Sequence, residues 1–344
     1  MSAARQVSGK NDLTRVSFEQ PATLDVSIII VSWNAKDYLR KCLKSLAQPT
    51  SLASMEIIVV DNASSDGSSE MVASEFPSVR LIHSGGNLGF AKANNIGMRL
   101  SRGRYLGLVN SDVEVLDDCL SRLIEGMDNH PRIGMSGPFV FGGDGKIQRS
   151  CRGFPGVWNM FCRCLALDHI FPSCRLFNGY QLLHWKQDSE RAVDILSGCF
   201  WLARREAVEQ VGGLDEGFFM YGEDMDWCRR FHNAGWELRF LPSARAIHYG
   251  GASSANAPLR FFVEKQRADL QYWAKHHSIP ARLAYWVISL THHAIRALGQ
   301  TAGGLARKGA RGDVWFKARR SVACVRLLLT RLWASPKLKS QANS

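Results

Sequence analysis

Between Val26 and Pro138 the chain alternates short, almost wholly apolar runs with stretches in which apolar residues recur every three or four positions. The runs VSIIIVSW, EIIVVDN, VRLIHS and YLGLVNSD read as strands; AKDYLRKCLKSLA, SSEMVASEF, FAKANNIGMRLS and DDCLSRLIEGM read as helices. Strands apolar at nearly every position belong to parallel sheets covered on both faces. Four strand-and-helix units in series predict such a sheet with right-handed crossovers. Pattern returns at VDILSGCFWLARREAVEQVGG, a strand leading into a helix that stops at Gly212-Gly213. A helix within YGEDMDWCRRFHNAG and a strand within WELRFLPSARAIHY follow. The stretch from Cys151 to Arg191 has no clear period and reads as a long insertion or loop.

After Pro258 the chain turns helical and basic. On a helical wheel Leu283, Val287, Leu290, Ala294 and Leu298 form one apolar stripe, with Arg282, Ser289, His292, His293 and Arg296 on the opposite side. The run LAYWVISL is far short of the roughly 20 residues that span a bilayer. The formal charge is +12, but Ala281 to Ser344 holds twelve Lys and Arg against one acid, Asp313, so +11 lies in this tail. The body is close to neutral, and a nucleic-acid partner is not expected of it. Two readings of the tail stay open. One is an interfacial helix beside anionic lipid, with Trp286, Trp315 and Trp333 as anchors; the other is a helical hairpin packed on the main domain.

The 344 residues, 46% hydrophobic and 22% charged, suffice for one large or two modest domains. The division expected is a flexible segment 1–24, an α/β domain 25–257 and a helical, basic extension 258–344. The opening MSAARQVSGKNDLTRVSFEQ lacks an apolar run and reads as neither signal peptide nor anchor, which predicts a cytosolic protein. Nine cysteines occur, and the one cluster, Cys151, Cys162, Cys164 and Cys174, matches no metal-knuckle spacing; free, mostly buried thiols are expected.

Candidate chemistry gathers at the strand ends, where open sheets of this kind bind ligands. Ser32 with Asn34, Asp61 with Asn62, and Asn110 with Asp112 furnish one sheet edge with polar groups. Asn110-Ser111-Asp112 can equally be turn chemistry before the next helix. Asp61 can accept from a nucleobase imide or from ribose hydroxyls. In GGNLGFAKANNIG the glycines permit close backbone approach, and Asn87, Asn94 and Asn95 supply amides. Neither GxGxxG after the first strand nor a Walker Gly-Lys-Ser/Thr ending is present. Glu223, Asp224 and Asp226 crowd the start of a helix, where the dipole favours negative charge and N-capping is an alternative role.

Four segments in order, VSIIIVSWN, VVDNASSDGS, NLGFAKANNIG and LVNSDVE, strongly resemble the inverting glycosyltransferases of family 2, on the branch of bacterial rhamnosyltransferases and related polysaccharide-assembly enzymes. The likeness extends through SGCFWLARREAVEQVGGLDEGFFMYGEDMDWCRRFHNAGW and IHYGG, covering Val26 to Ser254 and not the tail. It implies a GT-A fold, an α/β architecture with a mainly parallel Rossmann-like sheet flanked by helices. It further implies a donor half, 25–138, an acceptor half, 139–257, and a dTDP- or UDP-sugar donor. The donor would be held by Ser32, Asn34, Asp61, Asn87, Gly89, Asn94, Asn95 and Asp112.

The resemblance implies a divalent cation, Mg²⁺ or Mn²⁺, bridging the diphosphate to an Asp-x-Asp motif. That motif reads Asn110-Ser111-Asp112 here, leaving Asp112 as its one carboxylate. A hard cation can still be held if diphosphate oxygens and waters complete its shell. His248 is implied as a further metal ligand; a packed or capping histidine is the alternative. Asp224 is implied as catalytic base, with Glu223 beside it orienting the acceptor or capping the helix. Asp215 and the aromatic residues Phe218, Phe219 and Trp227 are candidates for acceptor contacts, with core packing an equally good account of the aromatics. The expectation is a glycosyltransferase, peripheral on the inner face of the cytoplasmic membrane, acting on a lipid-linked glycan. A sugar nucleotidyltransferase would need a glycine-rich, arginine-containing loop after the first strand, which VSWNAKDYLRK does not offer. A basic scaffold or nucleic-acid-binding protein would explain the charge but not the acids on the sheet edge.

Overall fold

The computed structural model describes residues 14, 16–48, 54–250, 258–306 and 311–330. The first half contains β1 (Leu24–Ser32), α1 (Lys36–Leu46), β2 (Met55–Asp61), α2 (Ser68–Glu75), β3 (Arg80–His83), α3 (Phe90–Leu100), β4 (Gly103–Asn110), β5 (Val113–Leu116), α4 (Cys119–Asp128) and β6 (Ile133–Gly142). There follow β7 (Ile147–Gln148), β8 (Cys151–Arg152), α5 (Val157–Cys164), α6 (Leu167–Ile170), β9 (Arg191–Ala192), β10 (Ile195–Leu196), β11 (Phe200–Arg204), α7 (Arg205–Val211), α8 (Glu223–Asn233) and β12 (Glu237–His248). Three helices end the chain: α9 (Pro258–His276), α10 (Ile279–Ala306) and α11 (Arg311–Thr330).

The fold is α/β, with a mostly parallel central sheet flanked by helices and a helical C-terminal region. Its order is β3-β2-β1-β4-β11-β6-β12-β5. The first four strands are mutually parallel. Alternate side chains serve opposite layers: Ile28 and Ile30 pack with α1 residues Leu39 and Leu43, whereas Ile29 joins Met98, Leu106, Leu108 and Trp201. Both faces are therefore buried, which is why the strands lack polar–apolar alternation. Beyond β4 the pairing changes: β11 is antiparallel to both neighbours, β4 and β6, and β12 is parallel to β6 but antiparallel to β5. Periodicity does not reveal strand direction, and this reversal is a finding of the structure.

The stretch 151–191 is more ordered than its sequence pattern suggests. Here β8 pairs with β10, and α5 and α6 form a helical insert. Side-chain-to-backbone bonds hold it. Asn178 Nδ2 donates to the carbonyls of Asp168 and Phe171, and Arg149 Nη1 donates to those of Leu182 and Trp185. Such bonds fix a fold without imposing a hydrophobic period. All nine cysteines are free, and only Cys164 and Cys174 are not buried.

The C-terminal helices are docked on the sheet domain. Trp273 stacks on Tyr285 at 4.5 Å, Trp286 Nε1 donates to Leu328 O at 3.0 Å, and α10 packs against α5, α9 and α11. The apolar stripe of α10 is largely displayed, with Leu290 and Ala294 half-buried, and Arg282 and Arg296 of its polar side are exposed as well. Leu283, Val287 and Leu298 are 57%, 54% and 73% exposed, while Ser289 and His293 opposite are buried. No helix among the described residues is long and apolar enough to cross a membrane. Trp333 and most of segment 1–24 lie outside the described residues.

Candidate active site

Register brings the polar strand ends together: Ser32 pairs with Asp61, and Val31 with Asn110. Beyond them opens a cavity of about 200 Å³ lined by Asn62, Asn87, Gly89, Asn110, Asp112 and His248. His248 reaches it because β12 lies antiparallel to β5, which pairs His248 with Val113. Its Nε2 stands 3.2 Å from Asp112 Oδ1, and its Nδ1 lies 3.1 Å from Gln148 Oε1. The backbone N–H of Tyr249 donates to Asp112 O at 3.0 Å, locking the two chain segments together.

One carboxylate, one imidazole and the amide of Asn110 share this wall, and the Asn110 side-chain oxygen has no hydrogen-bond partner among the described residues. Such an orphaned buried oxygen is costly unless a ligand satisfies it. The set fits a hard or borderline divalent cation whose remaining positions go to diphosphate and water oxygens. No group of three or more His, Cys, Asp or Glu suited to a metal occurs among the described residues, in keeping with the single carboxylate of the motif.

Asn62 organises the glycine-rich loop. Its Nδ2 donates to Asn87 Oδ1 at 3.1 Å, and its Oδ1 accepts from Leu88 N at 2.9 Å. Gly89 has φ +82°, and a Cβ there would meet Phe219 O at 2.4 Å, so no other residue fits this approach. At the rim, Asn34 Oδ1 accepts from Ser65 N at 2.7 Å, and the Asp61 carboxylate accepts from Ser64 N at 3.3 Å. Both residues brace loops and neither lines the cavity; Ser32 is buried beneath it, its hydroxyl unpartnered among the described residues.

Two expected donor contacts point elsewhere. Asn94 Nδ2 bonds Phe90 O at 2.9 Å within its own helix. Asn95 exchanges two bonds with the backbone of Leu214, 2.8 and 3.0 Å, clipping α3 to the turn before α8. Both are fully buried, and burial of an amide demands such bonds. Asn62 and Asn110, expected only as polar groups of the sheet edge, line the wall themselves, and Tyr221, which no reading of the sequence singles out, joins them. Tyr221 has φ +67° directly before Gly222, also at positive φ, and that backbone strain is the kind that collects at functional sites.

The three acids at the start of α8 have three different fates. Asp224 Oδ2 accepts from Arg152 Nη2 at 2.5 Å, and Arg152 Nη1 also donates to Tyr180 Oη at 3.2 Å. Glu223 is buried, and one of its oxygens has no partner among the described residues. Burial, helped by the charge of Asp224, pushes its carboxyl up to about 8. Asp226 is fully buried and meets Arg230, Lys275 and His276 at 2.8, 2.6 and 2.7 Å. Burial works against its charge, but His276, Arg230 and Lys275 prevail and hold it below the usual carboxylate range. It clamps α9 to α8.

Asp215 and Trp227, expected at the acceptor, line neither cavity described here. Asp215 pairs with Lys275 at 2.6 Å and accepts from Gly217 N; Trp227 is in the core against Trp201, its Nε1 donating to Gly212 O. Phe218 is also core, whereas Phe219 does reach the smaller cavity. Arg152, absent from any sequence motif, is what connects Asp224 to a second, larger cavity of about 390 Å³ between the insert and the C-terminal helices.

The sequence model described as "Glycosyl transferase family 2" matches residues 27–212. The chain is 29% identical over 263 residues to an N-acetylglucosaminyl-diphospho-decaprenol L-rhamnosyltransferase of Mycobacterium tuberculosis, covering 73% of this chain and 84% of that protein. It is 28% identical over 276 residues to rhamnosyltransferase WbbL of Escherichia coli, covering 78% of this chain and 99% of that one. Its fold is similar to that of the mannosyltransferase PcManGT from Pyrobaculum calidifontis, solved in complex with GDP-Man and Mn²⁺. The TM-score is 0.55 at 17% identity, over 92% of this chain and 91% of that one.

Proposed function

The chain belongs to glycosyl transferase family 2 and is a glycosyltransferase; on that premise we propose that it moves a deoxysugar such as rhamnose, with inversion, from a dTDP- or UDP-linked donor to a lipid-linked glycan in bacterial surface polysaccharide assembly. Two relatives aligned over most of their length are rhamnosyltransferases, and one is named for a diphosphate-linked polyprenol. The observation that carries the reading is the Asp112–His248 contact at the strand ends, in a cavity shared with the Asn110 oxygen, which has no partner among the described residues. Residues 25–138 form the donor half, 139–257 the acceptor half, and 258–344 an extension that seats the enzyme on the cytoplasmic face of the membrane.

Asp112, His248 and Asn110 would hold Mg²⁺ or Mn²⁺. Bound there, a divalent cation would supply positive charge to offset the negative charge growing on the departing diphosphate. Asn87 and Gly89 present amide and backbone groups to the donor from the same wall. Asp224 is the base. Adjacent carboxyl groups resist carrying two charges in a buried place, and Glu223 is the one whose proton is retained near neutral pH. Asp224 faces the guanidinium of Arg152. As the acceptor oxygen bonds to the anomeric carbon and the bond to the donor phosphate breaks, Asp224 takes the hydroxyl proton. Protonated Glu223 can donate a hydrogen bond that orients the acceptor.

A panel of nucleotide sugars with Mg²⁺ or Mn²⁺, assayed for free nucleotide, tests the reading. Release of dTDP or UDP that chelator abolishes is expected. Inorganic diphosphate made from a nucleoside triphosphate and a sugar phosphate would instead mark a nucleotidyltransferase. Salt-sensitive retention of DNA without any turnover would mark a basic scaffold.

A further inference from the structure

We propose that the larger cavity seats the anionic diphosphate through which a lipid-linked acceptor carries its glycan, an inference that rests on the acceptor class proposed above. The cavity is bounded by α5, the start of α8 and helices α9 to α11. Six cationic residues line it, Arg149, Arg152, Arg163, Lys265, Arg296 and Arg320, against the single acid Asp269. Asp269 is taken by Lys265 at 3.3 Å, Arg152 by Asp224, and Arg149 by backbone carbonyls. Arg163, Arg296 and Arg320 have no carboxylate within salt-bridge reach among the described residues. A cluster of guanidinium groups without counter-charges repels itself, and a multivalent phosphate both relieves the repulsion and matches the planar fork of each group.

Two further atoms point to an occupant. Arg320 Nε and His293 Nδ1, on walls of this cavity, have no hydrogen-bond partner among the described residues, and His293 is only 7% exposed. Gln266 Nε2 donates to Tyr285 Oη, so Gln266 Oε1 is free to accept from His293 Nε2 at 3.0 Å. That assignment leaves the Nδ1 lone pair to accept a hydroxyl, while Arg320 Nε is a donor for an anionic oxygen.

The surroundings indicate a lipid rather than a free anion. Helices α5 and α10 pack on each other, and each is divided the same way. Met160 and Arg163 of α5, and Ser289 and His292 of α10, face the cavity. Trp158 and Phe161 of α5, Leu165 at its C-cap, and Leu283, Val287 and Leu298 of α10 stand exposed. A cationic recess flanked by exposed apolar side chains suits a molecule whose tail stays in the bilayer while its head group enters the protein. Arg152 lines the recess and touches Asp224, so the glycan end of the occupant lies toward the proposed base. The start of α9 borders both cavities, Phe261 lining the smaller and Phe262 the larger.

Titration calorimetry on the full chain, with farnesyl diphosphate as the probe, tests the assignment; farnesol, inorganic diphosphate and UDP are the comparison ligands. Farnesyl diphosphate should bind more tightly than either farnesol or inorganic diphosphate. The double variant Arg163→Gln/Arg296→Gln, whose side chains are exposed and whose folding is thereby spared, should bind it at least about tenfold more weakly with UDP affinity unaltered. Inorganic diphosphate binding as tightly as the prenyl form would overturn the lipid-linked occupant. Unaltered farnesyl diphosphate affinity in the variant, or an equal loss for UDP, would overturn the site itself. Failure of every nucleotide and nucleotide sugar to bind would sink the transfer reaction instead, and would leave the prenyl diphosphate result standing.

Discussion

The two cavities are built in opposite ways. The smaller is made chiefly from strand ends and the loops that leave them, closed by the turn before α8 and the start of α9, and its polar wall comes from residues within short motifs, among them Asn62, Asn87, Gly89, Asn110 and Asp112. The larger has no motif. Its wall is collected from a helical insert, the first turn of α8 and three C-terminal helices, and its cations are scattered from Arg149 to Arg320. A site for a small, chemically invariant group can be set by backbone geometry at one sheet edge. A site for a long amphipathic molecule needs surface drawn from several packed elements. The first kind of site tolerates little change, whereas the second spreads its affinity over many side chains.

Five variants press on that contrast, and the largest effect belongs to the smaller cavity. Asp112→Asn removes the one carboxylate of the strand-end motif and should lower metal-dependent nucleotide release by more than about 10⁴-fold. Activity unchanged by this substitution and by excess chelator would leave Asp112 a turn residue. Asp224 lines neither cavity itself and reaches the larger one through Arg152; Asp224→Asn tests its role as base. Transfer should fall by about 10²–10⁴-fold while donor affinity, measured by calorimetry, persists. Loss of donor binding in this variant would end the division of labour between Asp112 and Asp224.

Asp226 probes the framework that joins the two regions. Its pKa is depressed in the folded state, so its contribution is present above the ordinary aspartate value and is lost as pH falls below about 4. Asp226→Asn leaves Lys275, Arg230 and His276 without their shared partner and should cost about 3–5 kcal/mol at neutral pH, read from urea unfolding. That loss should shrink on acidification, because the wild-type protein then loses the same contribution. A constant difference down to pH 3 would show that the clamp is not electrostatic.

Glu223 behaves oppositely. Its raised pKa means that it contributes stability below about 4.5, which is lost as pH rises through about 8. Glu223→Gln should therefore gain stability relative to wild type between pH 6 and pH 9, with transfer reduced far less than in Asp224→Asn. If Glu223 were the base, wild-type transfer would climb through about pH 8 and the Gln variant would be dead.

The smallest effect is expected on the exposed flank of the larger cavity. Leu283→Ser with Val287→Ser should weaken sedimentation with anionic vesicles by about tenfold, with no change in donor binding. Substitution is a cleaner probe than truncation, since deletion of α10 would remove Tyr285 and uncover Trp273, on which it stacks. Equal vesicle binding by wild type and variant would mean that the apolar stripe covers something other than a membrane.

Legibility tracked distance along the chain. Strands β1, β2 and β4 announce themselves because both their faces are buried, so composition alone marks them, and their polar ends mark the ligand edge. The wheel of α10 was equally plain, yet which side faces the protein was not. The same periodicity serves a helix that hides its apolar stripe and one that displays it, and only the packing of α10 on α5 and α9 selects the second. Asn95 and Asp215 mislead for a related reason: amides and carboxylates that brace a fold are the same residue types that bind ligands. Their partners, Leu214 and Lys275, are identified only once the chain is folded.

By itself the sequence determined the parallel half of the sheet, the polar edge where a donor is expected, and the acidic turn that opens α8, because each is a local pattern with a local cause. Tertiary structure decided the rest. It reversed β11, brought His248 to Asp112 through the pairing of β12 with β5, and set Arg152 against Asp224 across an insert without a period. It also gave Glu223, Asp224 and Asp226, nearly adjacent in the chain, three different environments. The physical reason is that a carboxylate's role is fixed by its burial and by the charges around it, and those charges come from residues far away in sequence.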